Sequence, residues 1–462
     1  MQIKKGEQHQ LTISGMSFGG RGIGRLDGLA VFVERTAPLD VALVRITKRK
    51  KNHAEAVLLE LIEHSPFRLT PPCIYSNYCG GCKWQFIDYG RQLIYKQQQI
   101  IDSLLRIGGL DGVPVHSIIP SPKIFGYRNK MEFSCSDRRW LFPEEMQQPS
   151  IDRQFALGLH IPQTFDKIID IEKCLLQHDL GNAILNDVRT LMKSSGAPPY
   201  GLKTHSGFWR FLMLRHSEAY DQWMVNIVTA ADDSRVVQPL ADILRSKYPR
   251  IVSVINNITS RKAGIALGEK ERCLSGNPKI RDRVGPFEFD ISANSFFQVN
   301  TQSARSIFET AKDYAALTGT ESVLDLYSGT GTVAVYFSEA AKSVVGIEIS
   351  ESAVADAMEN SLLNHIKNSR FILGDVLNLK THIDFPPDVI IIDPPRVGMH
   401  PKVVKQILEM APSRMVYISC NPATLARDLG LMKEKYDVLE IQPVDMFPHT
   451  AHIESVVKLK RK

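Results

Sequence analysis

The sequence predicts an α/β fold in its C-terminal part, preceded by a small β-barrel and a mixed α+β region. Three observations support this. Short apolar segments with glycines between them fill residues 1–62, strand-like and helix-like segments mix over 63–290, and strands alternate regularly with helices over 291–462. Such regular alternation is typical of a mostly parallel, doubly wound sheet. We take these three ranges as the predicted domains.

Four apolar segments in the first domain have the length of short strands. They cover residues 11–13, 29–33, 40–46 and 54–59. A glycine-rich turn from Gly15 to Gly24 separates the first two, and such punctuation favours a small barrel. The basic run Lys48-Arg49-Lys50-Lys51 precedes the last segment. This run could contact the phosphates of a nucleic acid, or it could be a solvated face.

The composition is that of an ordinary globular protein, with 44% hydrophobic and 23% charged residues. No apolar run approaches the roughly 20 residues that cross a bilayer, and the N-terminus lacks the apolar core of a signal peptide. We therefore expect a cytoplasmic location without a membrane partner. The net charge of +6 permits a polyanionic partner without requiring one. Cysteines in that compartment are more often metal-binding or catalytic than disulfide-bonded.

Three of the seven cysteines lie close together in a loop rich in proline and glycine. They are Cys73, Cys79 and Cys82. A closed zinc or iron–sulfur site needs four soft ligands, and Cys174 is the best candidate for the fourth. The spacing leaves both metals open. We expect Cys135 and Cys273 to be structural.

A glycine turn in the C-terminal domain lies where a predicted strand at 323–326 feeds a helix at 332–340. Gly329 and Gly331 would let a ligand approach the backbone closely. Glu348 ends the next strand, where a carboxylate can hold the hydroxyls of a ribose. The arrangement indicates a nucleoside-containing cofactor. NAD stays open, because Gly329-x-Gly331-x-x-Ala334 fits its loose fingerprint, and so does a purely structural turn.

Two further strand ends carry reactive groups. Asp393-Pro394-Pro395-Arg396 follows an apolar strand at 388–392, and Cys420 follows a strand at 415–419. Because carboxyl ends of parallel strands meet at one edge, Asp393 and Cys420 should lie there together. Asn421 and Pro422 suit a helix start, which would lower the pKa of the Cys420 thiol. The alternative for Cys420 is a small buried core residue.

Two other motifs are ambiguous by themselves. Phe296-Phe297-Gln298-Val299-Asn300 precedes the first helix of the C-terminal domain and could be core packing with an asparagine cap. His452-Ile453-Glu454-Ser455-Val456 places an acid just before an apolar strand. In isolation such an acid would usually be a solvated loop residue.

Taken together, these motifs resemble the RNA uracil-C5 methyltransferase family, which uses S-adenosylmethionine, over nearly the whole chain. The resemblance implies a TRAM-type, OB-like barrel over 1–62 that binds RNA. It implies a central α+β domain over 63–290 with an iron–sulfur loop and an RNA-binding surface. Over 291–462 it implies a class I, Rossmann-like methyltransferase domain.

The same resemblance assigns roles to individual residues. Cys420 matches the nucleophile and Glu454 the general base, and Asp393 would hydrogen-bond near the pyrimidine. Phe296 or Phe297 would stack on the target base. The positions that match the family's cofactor site are Gln298, Tyr327, Gly329, Thr332, Glu348, Asp375 and Asp393.

The cysteine spacing is similar to the family's [4Fe-4S] pattern, with Cys73, Cys79, Cys82 and Cys174 as ligands. That cluster is typical of the branch that acts on large-subunit ribosomal RNA and is usually missing from the bacterial tRNA branch. We therefore expect a monomer that binds 23S ribosomal RNA, with tRNA as the alternative and without a DNA partner. The run Lys48-Arg49-Lys50-Lys51 and the turn Tyr127-Arg128-Asn129-Lys130 should contact phosphates.

Two other classes of protein stay open. One is a non-catalytic RNA-binding protein with a degenerate methyltransferase domain, against which the intact pair of Cys420 and Glu454 argues. The other is an NAD-dependent redox enzyme that uses the cluster for electron transfer. Asp325 upstream of the glycines and the Asp-Pro-Pro-Arg turn argue against that class.

Overall fold

The computed structural model describes residues 3–262 and 264–462. Its N-terminal part is a closed five-stranded barrel in the order β1-β2-β3-β5-β4. The strands are β1 (Gln8–Met16), β2 (Gly22–Leu26), β3 (Leu29–Val33), β4 (Val41–Arg49) and β5 (His53–Glu63). Alternate apolar side chains along β4 point inwards and build the barrel core. The expected turn is wrong over residues 22–24, which begin β2, because pairing with β1 and β3 overrides the weak strand propensity of glycine.

Helix α1 (Tyr89–Ser103) follows the cysteine loop and continues into a π-helical turn at Leu104–Gly108. Its start is fixed by Asp88, whose carboxylate accepts the amide of Arg91. The helix does not pack only on its neighbours in sequence. Ile100 and Leu104 are buried in a core that they share with the C-terminal sheet, so α1 links the first third of the chain to the last.

The central region is built on an eight-stranded sheet in the order β13-β12-β11-β10-β6-β8-β9-β7. Its strands are β6 (Lys130–Ser136), β7 (Arg139–Trp140), β8 (Ala156–His160), β9 (Ile168–Asp170), β10 (Trp209–Ser217), β11 (Gln222–Thr229), β12 (Ile251–Ile258) and β13 (Lys270–Gly276). The apolar sides of α2 (Asp179–Ser194) and α3 (Ser234–Lys247) share one core with the sheet. The strand-like segments that the sequence predicts in this region include residues 130–134 and 223–228, and these lie in β6 and β11.

A hairpin of β14 (Lys279–Val284) and β15 (Phe287–Ser292) leads from the central sheet to the C-terminal domain. Ile280 and Phe289 of this hairpin are buried in the C-terminal core. Most of the hairpin lies before residue 291, although it packs with the C-terminal domain. The domain boundaries at 62 and 290 stay predictions.

The C-terminal domain is a seven-stranded sheet in the order β18-β17-β16-β19-β20-β22-β21. Its strands are β16 (Ser322–Leu326), β17 (Ser343–Glu348), β18 (Ser369–Leu373), β19 (Val389–Ile392), β20 (Arg414–Ser419), β21 (Tyr436–Val444) and β22 (Glu454–Arg461). The helices are α4 (Thr301–Ala315), α5 (Thr332–Ser338), α6 (Glu351–Leu363), α7 (Leu379–His382), α8 (Pro401–Met410) and α9 (Pro422–Met432). Helices α4, α5 and α6 share one core with the sheet, and α1, α8 and α9 share the other.

The five strands β16 to β20 are parallel, whereas β22 inserts antiparallel between β20 and β21. The predicted doubly wound α/β sheet is therefore confirmed. Among the helices of the described residues, none is both long and apolar enough to cross a membrane.

Candidate active site

Three site residues meet at one end of the C-terminal sheet. The pairing of β19 with β20 brings the ends of these strands together, so that Asp393 and Cys420 both emerge at this edge, near enough for the charge of Asp393 to act on the thiol. Strand β22 runs in the opposite direction and begins with Glu454. Because Ser419 pairs with Ser455, the next step of the register sets Glu454 opposite Cys420. The structure therefore brings together the three predicted catalytic side chains.

The Cys420 thiol is half-buried between the end of β20 and the start of α9. Burial raises its pKa to about 12, and the charges of Glu454 and Asp393 act in the same direction. Arg396 opposes them. The expected lowering of the Cys420 pKa is therefore wrong, because burial and two carboxylates outweigh the helix N-terminus. The resting side chain is the thiol.

Both neighbouring carboxyl groups also favour their neutral forms. Glu454 is only 7% exposed, and burial followed by the charge of Asp393 raises its pKa well above the ordinary value. Burial raises the pKa of Asp393 to about 7. The site thus avoids crowding three negative charges into one buried space. A carboxylate with a raised pKa is also a stronger proton acceptor once it is ionised.

Arg396 is a functional residue that the sequence motif contained but to which no role was assigned. Its positive charge lowers the pKa of both Cys420 and Glu454 against the effect of burial. It also helps to lower the pKa of His452 to about 4, after burial. Arg396 is thus the cation that favours the charged forms of Cys420 and Glu454.

Helix α9 holds the loop that follows Asp393. Asn421 caps the helix by accepting the amide of Ala423 at 3.1 Å, and its side chain donates to the carbonyl of Arg396 at 2.9 Å. The guanidinium of Arg427 donates to the carbonyl of Met399 at 3.0 Å. The predicted asparagine cap is confirmed. Hydrogen bonds join the loop after Asp393 to the start of α9, so these two segments are bound to each other rather than only adjacent.

The glycine loop between β16 and α5 forms the other half of the site. Tyr327, Gly329 and Gly331 all have positive φ angles, of 65°, 52° and 78°. Glu348 accepts the amide of Gly329 at 3.0 Å and the amide of Ser350 at 2.9 Å. Since each carboxylate oxygen has two lone pairs, Glu348 keeps capacity for further donors such as ribose hydroxyls.

Asp325 lies beneath this loop, fully buried. Within the described part of the chain neither of its carboxylate oxygens makes a close hydrogen bond, although the backbone of Ala334 acts to lower its pKa. Burial, and then the charge of Asp393, outweigh this and raise the pKa well above the ordinary value. A buried carboxyl group so weakly satisfied beside an open glycine loop fits a site that a polar ligand completes. These residues therefore fit a nucleoside cofactor.

The remaining predicted cofactor residues lie around the same strand ends. Thr332 is the first residue of α5. Asp375 follows β18 and accepts the amide of Leu377 at 2.9 Å. Gln298 precedes α4, and its carbonyl accepts the side-chain amide of Asn129 at 2.8 Å. These residues thus come from separate segments of the chain, each next to a strand or helix of the C-terminal domain.

The two phenylalanines of the 296–300 motif have different environments. Phe297 is 3% exposed and belongs to the C-terminal core, so its predicted stacking on the target base is wrong. Phe296 is 66% exposed and stays the candidate. Asn300 caps α4 by accepting the amide of Ser303 at 3.3 Å, as expected.

The four predicted cluster cysteines approach one another beside the central sheet. Cys174 lies in the central core, and Cys73, Cys79 and Cys82 pack against it. Burial raises the pKa of Cys79 to about 11 and of Cys82 to about 12, with smaller contributions from the other cysteines. Among the described residues, the structure contains no group of three or more His, Cys, Asp or Glu side chains that could hold a metal ion.

Part of the predicted RNA-contacting turn lies inside the protein. Tyr127 is buried, and its hydroxyl donates to the carbonyl of Pro448 at 3.2 Å. Asn129 is buried as well and donates to Thr301 and Gln298. The prediction that Tyr127 and Asn129 contact phosphates is wrong, since their polar atoms hold the two domains together. By contrast, all four residues of the run at 48–51 are exposed.

Comparison with known proteins agrees with this architecture. Residues 213–462 match the family described as tRNA (uracil-5-)-methyltransferase, and residues 2–59 match the TRAM domain. A protein of Chlorobaculum tepidum described as an uncharacterised RNA methyltransferase is 39% identical, over 100% of this chain and 98% of that protein. A protein of Bacteroides thetaiotaomicron with the same description is 39% identical, over 96% of this chain and 100% of that protein.

A solved structure supports the same assignment over nearly the full length. It is the Pyrococcus abyssi tRNA (uracil-54, C5)-methyltransferase in complex with S-adenosyl-L-homocysteine, with a TM-score of 0.76 and 28% identity. The match covers 98% of this chain and 100% of that chain. With an N-terminal TRAM domain, a class I methyltransferase domain and relatives of this kind, the chain belongs to the RNA uracil-C5 methyltransferase family of S-adenosylmethionine-dependent enzymes.

Proposed function

We propose that this protein methylates C5 of a specific uridine in RNA through a covalent bond between Cys420 and uracil C6. The observation that carries this proposal is the meeting of Cys420, Asp393 and Glu454 at one strand edge beside the glycine loop. Uracil C5 is too weak a nucleophile to take a methyl group unaided. A thiolate that adds to C6 makes C5 electron-rich, which is the purpose of such a covalent step.

Each residue has a defined task in this reaction. The Cys420 thiolate adds to C6, and Arg396 favours the charged thiolate. When bound, S-adenosylmethionine supplies the methyl group. Glu454 in its ionised form then takes the proton from C5, after which the bond between sulfur and C6 breaks and releases the thiolate. Asp393 hydrogen-bonds near the pyrimidine, and the exposed Phe296 stacks on the base.

The donor would be held by the strand ends that surround the glycine loop. We assign its contacts to Gln298, Tyr327, Gly329, Thr332, Glu348, Asp375 and Asp393. Glu348 has free acceptor capacity for ribose hydroxyls, and the open space over Gly329 allows the ligand to approach the backbone.

We further propose that Cys73, Cys79, Cys82 and Cys174 hold a [4Fe-4S] cluster. The family resemblance supports this proposal, together with the four thiols being free and belonging to or packing against one core. In such a cluster each cysteine binds a different iron atom, so the four sulfurs need a wider arrangement than a single ion allows. Protein purified without oxygen should contain about four iron and four sulfide per chain. Stoichiometric zinc without visible absorption would contradict the cluster.

The proposed substrate is 23S ribosomal RNA, and the four-cysteine set supports it through the family resemblance. Transfer RNA is the second candidate, because the Pyrococcus abyssi enzyme that shares this architecture is a tRNA methyltransferase. Deletion of the gene followed by mass spectrometry of nucleosides from separated RNAs distinguishes the two. We expect 5-methyluridine to disappear from 23S RNA and to persist in tRNA. Loss from tRNA alone would favour the second candidate, and persistence in both would contradict the function.

A further inference from the structure

The loop between β21 and β22 ends at the proposed base. The antiparallel register of these strands pairs Val444 with Glu454, so the loop runs from Asp445 to Ile453 and closes at that pair. Asp445 therefore directly follows the cross-strand partner of Glu454. Any displacement of Asp445 is passed to Glu454 through one peptide bond and one strand pairing.

The first five residues of this loop are each anchored by a residue outside it. The amide of Asp445 donates to the carbonyl of Ile119, and the carbonyls of the next three residues accept bonds from side chains. The carbonyls of Met446, Phe447 and Pro448 accept from Asn300 at 3.1 Å, Lys96 at 3.0 Å and Tyr127 at 3.2 Å. His449 donates its amide to Gln92 at 2.9 Å and accepts the amide of Trp84 at 2.9 Å.

A buried ion pair lies at the centre of these anchors. Lys96 Nζ contacts Asp445 Oδ1 at 2.7 Å, and both side chains are 0% exposed. The hydroxyl of Tyr89 donates to the other carboxylate oxygen at 2.9 Å. Burying two charges carries a large desolvation penalty, and well-packed apolar residues often stabilise a fold as well or better. Stability alone therefore does not account for this pair.

We infer that Lys96 and Asp445 are positioning residues that fix the carboxylate of Glu454 against the target base. This inference rests on the proposed role of Glu454 as the base. A buried charge pair has one favourable geometry, whereas an apolar contact tolerates sliding, so the pair defines where the loop begins. Proton transfer from carbon depends strongly on placement, and an error of 1 Å can cost about 100-fold in rate.

The test uses full-length protein, labelled S-adenosylmethionine and total RNA from a strain that lacks the gene. Asp445→Asn removes the charge with little change of volume. Turnover at saturating RNA should fall by about 10- to 100-fold, with an unchanged KM for RNA. A misplaced base slows only the removal of the C5 proton. A methylated protein–RNA adduct that survives denaturing gels should therefore accumulate, as it should in Glu454→Gln.

Two further variants separate positioning from folding. The double variant Lys96→Met with Asp445→Leu removes both charges together, so that no unpaired charge stays buried, and it should still accumulate adduct. Glu321→Gln breaks the ion pair between Arg414 and Glu321 at the opposite end of the same sheet. In that pair the guanidinium of Arg414 lies 2.7 Å from the carboxylate of Glu321. This matched control should show a normal adduct level.

Different experimental results would overturn the positioning role and the proposed function. Adduct in Glu454→Gln, but none in Asp445→Asn or the double variant, would overturn the positioning role and leave the function standing. The positioning role is also overturned if turnover falls only in proportion to the folded fraction, measured by circular dichroism. Full activity of Glu454→Gln without any adduct would instead refute Glu454 as the base.

Discussion

At Cys420 two opposing influences act on one sulfur atom. The start of α9 and the charge of Arg396 favour the thiolate, whereas burial and two carboxyl groups favour the thiol, and the second set prevails. A raised pKa protects the resting cysteine from oxidation, because oxidants react with the thiolate. Formation of the thiolate is therefore coupled to the charges of Glu454, Asp393 and Arg396 around it.

Replacing Cys420 with alanine should abolish methyl transfer and leave cofactor binding intact. In the proposed mechanism the thiol adds to the RNA base, and the glycine loop that would hold the cofactor belongs to other strands. Titration calorimetry with S-adenosylhomocysteine should show an affinity close to that of the wild type. Cys273→Ala, at an exposed position on β13, is the matched control and should retain full activity. Substantial turnover by Cys420→Ala would refute the covalent mechanism.

Asp393→Asn should stabilise the protein at alkaline pH while it removes activity. The pKa of Asp393 rises from 3.8 to about 7 on folding. Between these values the folded state holds a proton that the unfolded state has lost, so the stability due to Asp393 is lost as pH rises through 7. Asparagine does not ionise. The melting temperature of the variant should exceed that of the wild type by a few degrees at pH 8, and by less at pH 5.

The sequence could predict where the reactive groups lie but not how they ionise. Asp393 and Cys420 follow apolar strands, and parallel strands bring their carboxyl ends together whatever the details of packing. The pKa of Cys420 depends on burial and on Glu454, which no local pattern encodes. Lys96 offered no signal at all, because its partner Asp445 lies 349 positions further along the chain.

At the level of elements, the two glycines of the cofactor loop serve different purposes. A Cβ on Gly331 would lie 2.9 Å from Ala357 and from Phe371, whereas a Cβ on Gly329 would meet nothing within 4 Å. Gly331 thus allows α5 to pack closely on α6 and β18, and Gly329 leaves room above the loop. The sequence showed a pair of glycines but could not separate these roles.

The matched variants Gly331→Ala and Gly329→Ala should therefore fail in different ways. Both place alanine in the left-handed region, which costs about 1 kcal/mol or more. Gly331→Ala adds a steric clash and should lower the free energy of unfolding by clearly more than Gly329→Ala. Gly329→Ala should keep most of its stability and lose affinity for S-adenosylhomocysteine. Urea unfolding gives the free energy of unfolding, and calorimetry gives the affinity for S-adenosylhomocysteine. Equal destabilisation of the two variants would show that the packing around Gly331 relaxes freely.

Whole elements of regular pattern were predictable, and irregular ones were not. The sequence predicts a strand that ends at Glu348, and β17 ends at that residue, because its apolar run is bounded by polar turns. Strand β2 has no strand-like pattern in the sequence, because two of its five residues are glycine. Its conformation is decided by the strands with which it pairs. Tyr127 and Asn129 looked like surface residues in a polar turn, and only the contact between domains buries them.

At the scale of the molecule, the exposed basic run of the barrel is the predicted contact with RNA phosphates. Replacing Lys48, Arg49, Lys50 and Lys51 with alanine should flatten the salt dependence of RNA binding. Each lost phosphate contact on a single strand reduces the slope by about 0.7, so four contacts reduce it by about 3. KM for RNA should rise and turnover at saturating RNA should stay unchanged. If both the slope and KM are unaffected, this run is only a solvated face.

The anchoring of the β21–β22 loop also has a consequence for how the enzyme is made on the ribosome. Lys96 and Gln92 emerge early in translation, but Asp445 and His449 follow roughly 350 residues later. At about 5–20 residues per second, helix α1 waits some tens of seconds with a lysine that has no buried partner. Contacts between such distant residues form late in folding. A nascent chain therefore carries helix α1 long before Asp445 and Glu454, and completion of the proposed active site should be among the last events of its biogenesis.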